Sequence, residues 1–304
     1  MVGESRVLAP VVVPDAAPAS GQHRGKGRAV TEQEGRAPLR VEELADVPGA
    51  VGWRVEVVES SPSTNAELAA RARDGAPGGL VLVAEHQTAG RGRIDRTFHT
   101  PARAALTFSV LLRPSAPAQQ WPWLPLVTGL AARSALARLH PAVDVSLKWP
   151  NDVLVAPAAH PDEPGKVAGI LAERVDTPAG PAAVLGIGIN AATTREELPV
   201  PTAASLRTVG VPAAAIDRTL LLRELLTDLS ALLVRWERGD LASLRASYGA
   251  ACATVGRRVR VELPQGDALV GDAVDVDGSG CLVVEAGGRR HTVGAGDVIH
   301  VRPA

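Results

Sequence analysis

Three clusters of polar residues in this 304-residue chain have the composition to grip an anion or handle a phosphate. The first is Glu85-His86-Gln87-Thr88-Ala89-Gly90-Arg91-Gly92-Arg93. Gly90 and Gly92 let the backbone approach a ligand closely, and Arg91 and Arg93 supply forked donors that match carboxylate or phosphate. The second is Leu147-Lys148-Trp149-Pro150-Asn151-Asp152, a strand–turn corner in which Pro150 suits the second position of a turn and Asn151 and Asp152 the third and fourth. The third pairs Gly165-Lys166-Val167-Ala168-Gly169-Ile170-Leu171 with Gly186-Ile187-Gly188-Ile189-Asn190. Taken alone, the first cluster reads first as a solvated arginine-rich turn, and the alternative for Lys166 is a gatekeeper at a strand edge.

Composition singles out the same positions. Of 32 basic residues only Lys26, Lys148 and Lys166 are lysine, and the three asparagines are Asn65, Asn151 and Asn190. In a chain so biased toward arginine, a retained lysine suggests a site that wants a compact charge on a flexible stem. Several chemistries are excluded. Lys166 is followed by Val167 and nothing has the GxxxxGK[ST] spacing of a P-loop, while the glycine–arginine loop lacks the third glycine and the following helix of a dinucleotide fingerprint. There is no Ser–His pairing, catalytic cysteine or zinc-type cluster. Two arginines, two lysines, two amides and a carboxylate suit phosphoryl or nucleotidyl transfer, in which the protein positions groups and offsets negative charge.

The elements that must hold these clusters follow from periodicity. Val55 and Val57 alternate as a strand, and Thr64 and Glu67 have capping-box spacing for a helix that stops at Asp74-Gly75. Leu80–Ala84 reads as a buried strand, Glu85–Pro101 as a loop, and Leu106–Val110 as a strand with one wet face. A helix is expected over Leu126–Leu139, then strands around Val143–Lys148, Val153–Val155, Val167–Glu173 and Val184–Ile189. If the turn near Ala179 closes a hairpin, opposed residue numbers sum to about 357–358, which sets Lys166 near Asn190–Ala191. A leucine stripe marks a helix over Asp217–Glu237. After Thr254, short strands split by Gly/Asp turns (Val259–Leu263, Ala268–Val276, Cys281–Glu285, Arg289–Val293, Val298–Val301) suggest a small SH3-like barrel. The organisation expected is an extension over 1–40, expected to be disordered for lack of aromatic residues, a catalytic domain over 41–254 and the barrel over 255–304.

Bulk properties add exclusions. The net charge is −1, so no overall field favours nucleic acid or anionic membrane, and apolar residues make up 46% of the chain. No helix-turn-helix pattern precedes the folded part, so no DNA-binding domain is expected. Cys252 and Cys281 form no CxxC pair, and the apolar runs are too short for a signal or a membrane span, so a cytoplasmic protein is expected.

Ser63-Thr64-Asn65, Gln87 to Arg93, Lys148 to Asp152, Lys166 to Leu171 and Gly186 to Asn190 occur in the order and spacing of the biotin–protein ligases, which the chain resembles over residues 50–304. The resemblance implies an α+β fold: a mixed β-sheet flanked by helices, related to the class II aminoacyl-tRNA synthetase core, with a C-terminal SH3-like barrel. It implies an enzyme that uses ATP, with Mg2+, to make biotinyl-5′-adenylate, and then a carbon–nitrogen bond to a lysine of a biotin carboxyl carrier protein domain. Biotin would contact Ser63, Thr64, Asn65, Gln87, Gly90, Arg91, Gly92, Arg93, Lys166 and Gly169. Ser63, Thr64 and Gln87 would hold the ureido ring, and Arg91 to Arg93 would lie in a loop that orders over the ligand. Lys148, Asn151, Asp152 and Asn190 would face the nucleotide, with Lys166, Arg91 and Arg93 nearest the chemistry and no resident metal. The resemblance is to the monofunctional type, without an N-terminal DNA-binding domain. The chain departs from the family pattern at Ile94-Asp95-Arg96-Thr97-Phe98, where the loop usually runs to a Trp, and at Arg103, where Gly is common. A lipoate or octanoate ligase shares the catalytic fold, but its Arg-Arg…Gly-Gly-Gly stretch ahead of a His-Asp is not found. A non-catalytic biotin-binding relative is the other alternative, disfavoured by Lys166, Arg91 and Arg93. Oligomeric state is not legible.

Overall fold

The computed structural model describes residues 36–93, 97–157, 159–263, 267–294 and 296–301. The expected extension thus lies outside the described residues as far as position 35. Residues 36–40, within its expected bounds, are packed: Leu39 is buried and Arg36 pairs with Glu197 at 2.6 Å.

Strand β1 (Arg54–Val58) leads into helix α1 (Thr64–Arg73) and then strand β2 (Leu80–Ala84), which pairs parallel to β1. Parallel neighbours need such a crossover, and this one brings the N-terminus of α1 and the carboxyl end of β2 to the same edge. Ser63, one residue ahead of the expected cap, is the N-cap of α1 and accepts from the Ala66 N–H at 3.4 Å. Thr64 is helical because its hydroxyl is engaged elsewhere.

Two-residue strands β3 (Gly90–Arg91) and β4 (Thr97–Phe98) pair within the expected loop. There follow β5 (Ala105–Leu112), α2 (Trp123–Leu139), β6 (Val143–Lys148), β7 (Asp152–Pro157), β8 (Gly165–Val175) and β9 (Ala182–Asn190). With β1 and β2 they form one seven-stranded mixed sheet in the order β1-β2-β5-β9-β8-β7-β6. The β8–β9 register is the expected one, since Gly169 faces Gly188 and Ile170 faces Ile187.

One face of the sheet, with Leu106, Phe108, Val110, Ile187 and Ile189, is buried under α2 and helix α3 (Arg218–Glu237). On the other face, Leu82, Leu111 and Val184 pack under Leu68 and Ala72 of α1. Every residue of β5 is therefore buried, and the expected wet face does not exist. Its alternation is real, but Ser109 meets Thr64 and Asn65, not water, and Thr107 is buried as well. Helix α4 (Leu241–Ala251), stripe Leu244, Tyr248 and Ala251, was not foreseen.

The C-terminal unit is a five-stranded antiparallel sheet of β10 (Arg258–Glu262), β11 (Ala268–Val276), β12 (Leu282–Ala286), β13 (Arg289–Val293) and β14 (Asp297–His300), ordered β13-β12-β11-β10-β14. Its core is continuous with that of the large sheet. Trp123 and Trp149, both fully buried, donate their indole N–H groups to the carbonyls of Gly278 and Gly280 at 2.9 and 3.0 Å. A large ring placed at a junction buries area and leaves one donor to be matched, which fixes orientation as well as affinity.

Candidate functional site

Residues directly opposite one another in a sheet point to the same side. Following the register from β1 to β6 gives one row, Val58–Ala84–Thr107–Gly188–Gly169–Asp152–Lys148. It lies on the α1 face, just beyond the helix N-terminus, where the apolar cover ends. At its centre two glycines stand side by side, so the sheet there is floored by backbone alone. Gly188 is crossed by Phe98, whose ring would stand 2.8 Å from any Cβ placed there.

Lys166 reaches this face because of an irregularity in β8. It lies three positions before Gly169, so plain alternation would turn it to the opposite side. Between Val153 and Leu154 of β7 the register shifts: Val153 faces Ala168, but Leu154 faces Lys166. This β-bulge absorbs Val167 into the core and re-aims the lysine. The ammonium lies over Gly169, where an added Cβ would meet Cε and Nζ at 3.4 Å. Its Nζ is 2.6 Å from Asp152 Oδ1 but off the directions of a hydrogen bond, so the contact is one of charge. Lys166 does not pair with Asn190–Ala191. The β8–β9 ladder ends at Ala168, and the backbone of Lys166 instead bonds Thr202 and Ala204. Asn190 reaches the same segment, donating to the Ala204 carbonyl at 3.0 Å. Its buried Oδ1 has no partner among the described residues.

The Pro150 corner differs from expectation. The Trp149–Pro150 bond is cis and Lys148 pairs directly with Asp152, so residues 149–151 form the loop and Pro150 is its middle residue. Asn151 donates to the Ile170 carbonyl at 2.9 Å and accepts from Arg93 Nη1 at 3.0 Å. Arg93 Nη2 also donates, at 3.4 Å, to the Gly296 carbonyl of the C-terminal unit. The loop arginine is thus tied to both the sheet and the C-terminal unit. Arg91 is exposed, Gly92 half-buried, and residues 94–96 lie outside the described residues. Lys148 and Arg257 act on His300, which burial first and those cations second hold down at about 4.

Ser63, Thr64, Asn65 and Gln87 are all buried. The Thr64 backbone N–H donates to Gln87 Oε1 at 2.8 Å; its hydroxyl lies 3.0 Å from the same oxygen and 2.7 Å from Ser109 Oγ. Ser109 donates to Asn65 Oδ1 at 2.6 Å, and Asn65 Nδ2 donates to Glu173 at 2.6 Å and to the Leu171 carbonyl at 3.2 Å. This buried network pins the start of α1 to the middle of the sheet. It employs both ends of the Asn65 amide, which therefore braces the site. Gly90 is required where it stands, since a Cβ would lie 2.3 Å from the Phe98 carbonyl and 2.8 Å from Gln87 Nε2.

Two features bear on the site beyond the expected residues, and the sequence flagged only the first. Arg103, the family departure, has φ 60°, a left-handed conformation that glycine adopts without strain. The other is a fully buried ion pair, Arg218 Nη1 to Glu85 Oε2 at 2.7 Å, between residues 133 apart in sequence. No local signal announces it, although Glu85 stands inside the first cluster.

Residues 56–190 match the Biotin/lipoate A/B protein ligase family, and 254–301 match the Biotin protein ligase C terminal domain. The chain is 45% identical over 274 residues to the biotin--[acetyl-CoA-carboxylase] ligase of Mycobacterium tuberculosis, covering 88% of this chain and 97% of that protein. A ligase of the same description from Paracoccus denitrificans is 31% identical over 78% of this chain and 96% of its own length. The biotin protein ligase from Aquifex aeolicus in complex with biotin and ATP superposes with a TM-score of 0.68 at 26% identity, over 82% of this chain and 99% of that one. The chain belongs to the biotin protein ligase family.

Proposed function

We propose that this chain is an ATP-dependent biotin–protein ligase. A biotin carboxylate oxygen attacks the α-phosphorus of ATP, the bond to the β-phosphate breaks, and pyrophosphate leaves. A carrier lysine amine then attacks the acyl carbon of the biotinyl-5′-adenylate, the bond to AMP breaks, and the amine loses its proton. Biotin is favoured over lipoate because both the C-terminal match and the relatives above are of the biotin type.

The observation that carries the reading is Lys166 bulged over Gly169 at one end of the glycine-floored strip. From Thr107 to Gly169 spans two strand intervals, about 10 Å. A fused bicycle with a five-carbon acid tail has that reach, so once Phe98 moves off Gly188 a ring near Gln87 brings its carboxylate to Lys166. There the ammonium leaves Asp152 and offsets charge growing on the carboxylate and α-phosphate. The orphaned Oδ1 of Asn190 suits a donor of the nucleotide. Arg91 and Arg93 cover the adenylate and keep water from the mixed anhydride. Mg2+ would enter with the phosphates of ATP.

The acceptor is the carrier domain of a biotin-dependent carboxylase. Supply of ATP and of that carrier locates the work in the cytoplasm, and both cysteines are free thiols. Among the described residues no helix is long and apolar enough to cross a membrane. Pyrophosphate release with ATP plus biotin or lipoate, followed by the mass of a carrier domain, tests the reading. Release with biotin and addition of one biotinyl group are expected; activity with lipoate alone would overturn it.

A further inference from the structure

We propose that the buried Glu85–Arg218 pair, with the 36–40 strap it fastens, is a positioning device that sets both ends of the slot. The inference rests on the ligase reading above and adds residues outside the slot to its machinery.

The pair is sealed, with side chains only 2% and 6% exposed. Burying two charges is costly, and well-packed apolar residues of similar volume often serve stability equally well. A buried pair is therefore better explained by what it orients than by what it stabilises. Each partner grips the strap: the Leu39 N–H donates to Glu85 Oε1 at 2.6 Å, and Arg218 Nη2 donates to the Ala37 carbonyl at 2.7 Å. Arg36 extends the strap, donating to the Ala192 carbonyl at 3.1 Å and pairing with Glu197.

What the pair orients lies on either side of it. Glu85 is two residues before Gln87, and its backbone is fixed by a bond from its N–H to Val58 and one from Arg103 to its carbonyl. On the other side, Arg218 Nη1 donates to the Ala105 carbonyl at 3.3 Å, and Ala105 faces Asn190 across β5 and β9. One guanidinium thus joins the start of the Gln87 loop, the strand opposite Asn190 and the strap. A shift of α3 or loss of the strap would move the Gln87 end and the Asn190 end together.

The test measures pyrophosphate release at varied biotin and ATP. Arg218→Lys keeps the charge and should fold, but one ammonium cannot reach Glu85, Ala37 and Ala105 at once. The Michaelis constants for biotin and ATP should both rise, biotin by about tenfold, because even a 1 Å misplacement of a positioning group can cost up to about 10²-fold. Glu85→Leu with Arg218→Leu separates positioning from packing: its thermal midpoint should recover toward wild type while both constants stay raised. The proposal is overturned if Arg218→Lys leaves the biotin constant within about twofold of wild type, or if the double variant restores it. Should the double variant yield no soluble protein, Arg218→Lys decides alone. A wild-type chain that releases no biotin-dependent pyrophosphate would instead refute the ligase reading.

Discussion

Gly186 faces Ser109 on one side and Leu171 on the other, with the Asn65 amide lying directly on it. An alanine Cβ there would stand 2.2 Å from Asn65 Oδ1, 2.8 Å from Cγ and 3.2 Å from Nδ2. The amide has to retreat by more than an ångström, yet bonds to Ser109, Glu173 and Leu171 hold it. Losing the Ser109 bond and the charge-assisted Glu173 bond costs about 2–4 kcal/mol. Alanine returns roughly 0.5–1 kcal/mol relative to glycine in a strand. The net loss of about 1–3 kcal/mol corresponds to a fall in melting temperature of roughly 3–10 °C for a chain of this size.

A double-mutant cycle isolates the cause. With Asn65→Ala in place the obstruction is gone, so Gly186→Ala should cost nothing further, giving a coupling of about 2 kcal/mol. Thermal or urea unfolding of the wild type, both single variants and the double variant measures it. Additivity within about 0.5 kcal/mol would refute the idea that this glycine is there for the amide. Because Thr64 and Gln87 belong to the same network, Gly186→Ala should also weaken biotin binding.

Lys166→Ala should slow adenylate formation by about 10²–10³-fold, since one preorganised charge on a developing anion is worth that much. Lys166→Arg should be impaired as well, because the planar fork does not fit where the ammonium lies over Gly169; a near wild-type burst of pyrophosphate from Lys166→Ala would remove the residue from the mechanism. Arg93→Gly severs the loop from Asn151 and from Gly296, so adenylate should still form but escape early, biotinylating lysines of unrelated proteins. Unchanged adenylate dissociation in that variant would make Arg93 a structural tie only. His300 has its folded pKa lowered from 6.5 to about 4. A depressed value means that the unfolded chain takes up the proton first, so the stability it contributes is complete above pH 6.5 and is lost as pH falls from 6.5 toward 4. His300→Gln should flatten the melting temperature over that interval, and an equally steep fall in the variant would place the sensitivity elsewhere.

The parts of this site that could be read from the sequence are those the backbone itself demands. Gly169 and Gly188 stand inside the third cluster, a turn cluster fixes the β8–β9 register, and scarcity of lysine and asparagine points to Lys148, Lys166, Asn65, Asn151 and Asn190. The illegible parts depend on partners far apart in sequence: Arg218 with Glu85, Arg36 with Glu197, Asn65 with Glu173. Nothing local marks Ser63 as the cap, because what displaces Thr64 from that task is its contact with Gln87 and Ser109.

The bulge in β8 lies between these cases, because its trace is one of parity. The hairpin rule puts Gly169 opposite Gly188, and Asn190 shares the face of Gly188 by plain alternation. Lys166 is an odd number of residues from Gly169, so a regular strand would send it to the face covered by α2 and α3, where an ammonium would be buried without a partner. A lysine that works on the same face as those glycines therefore requires one residue too many between it and Gly169. Val167, apolar and wholly buried, is that residue. The register shift at Val153/Leu154 turns Lys166 away from the core and onto Asp152, so the position of the reactive charge is set by a one-residue irregularity in an otherwise regular strand.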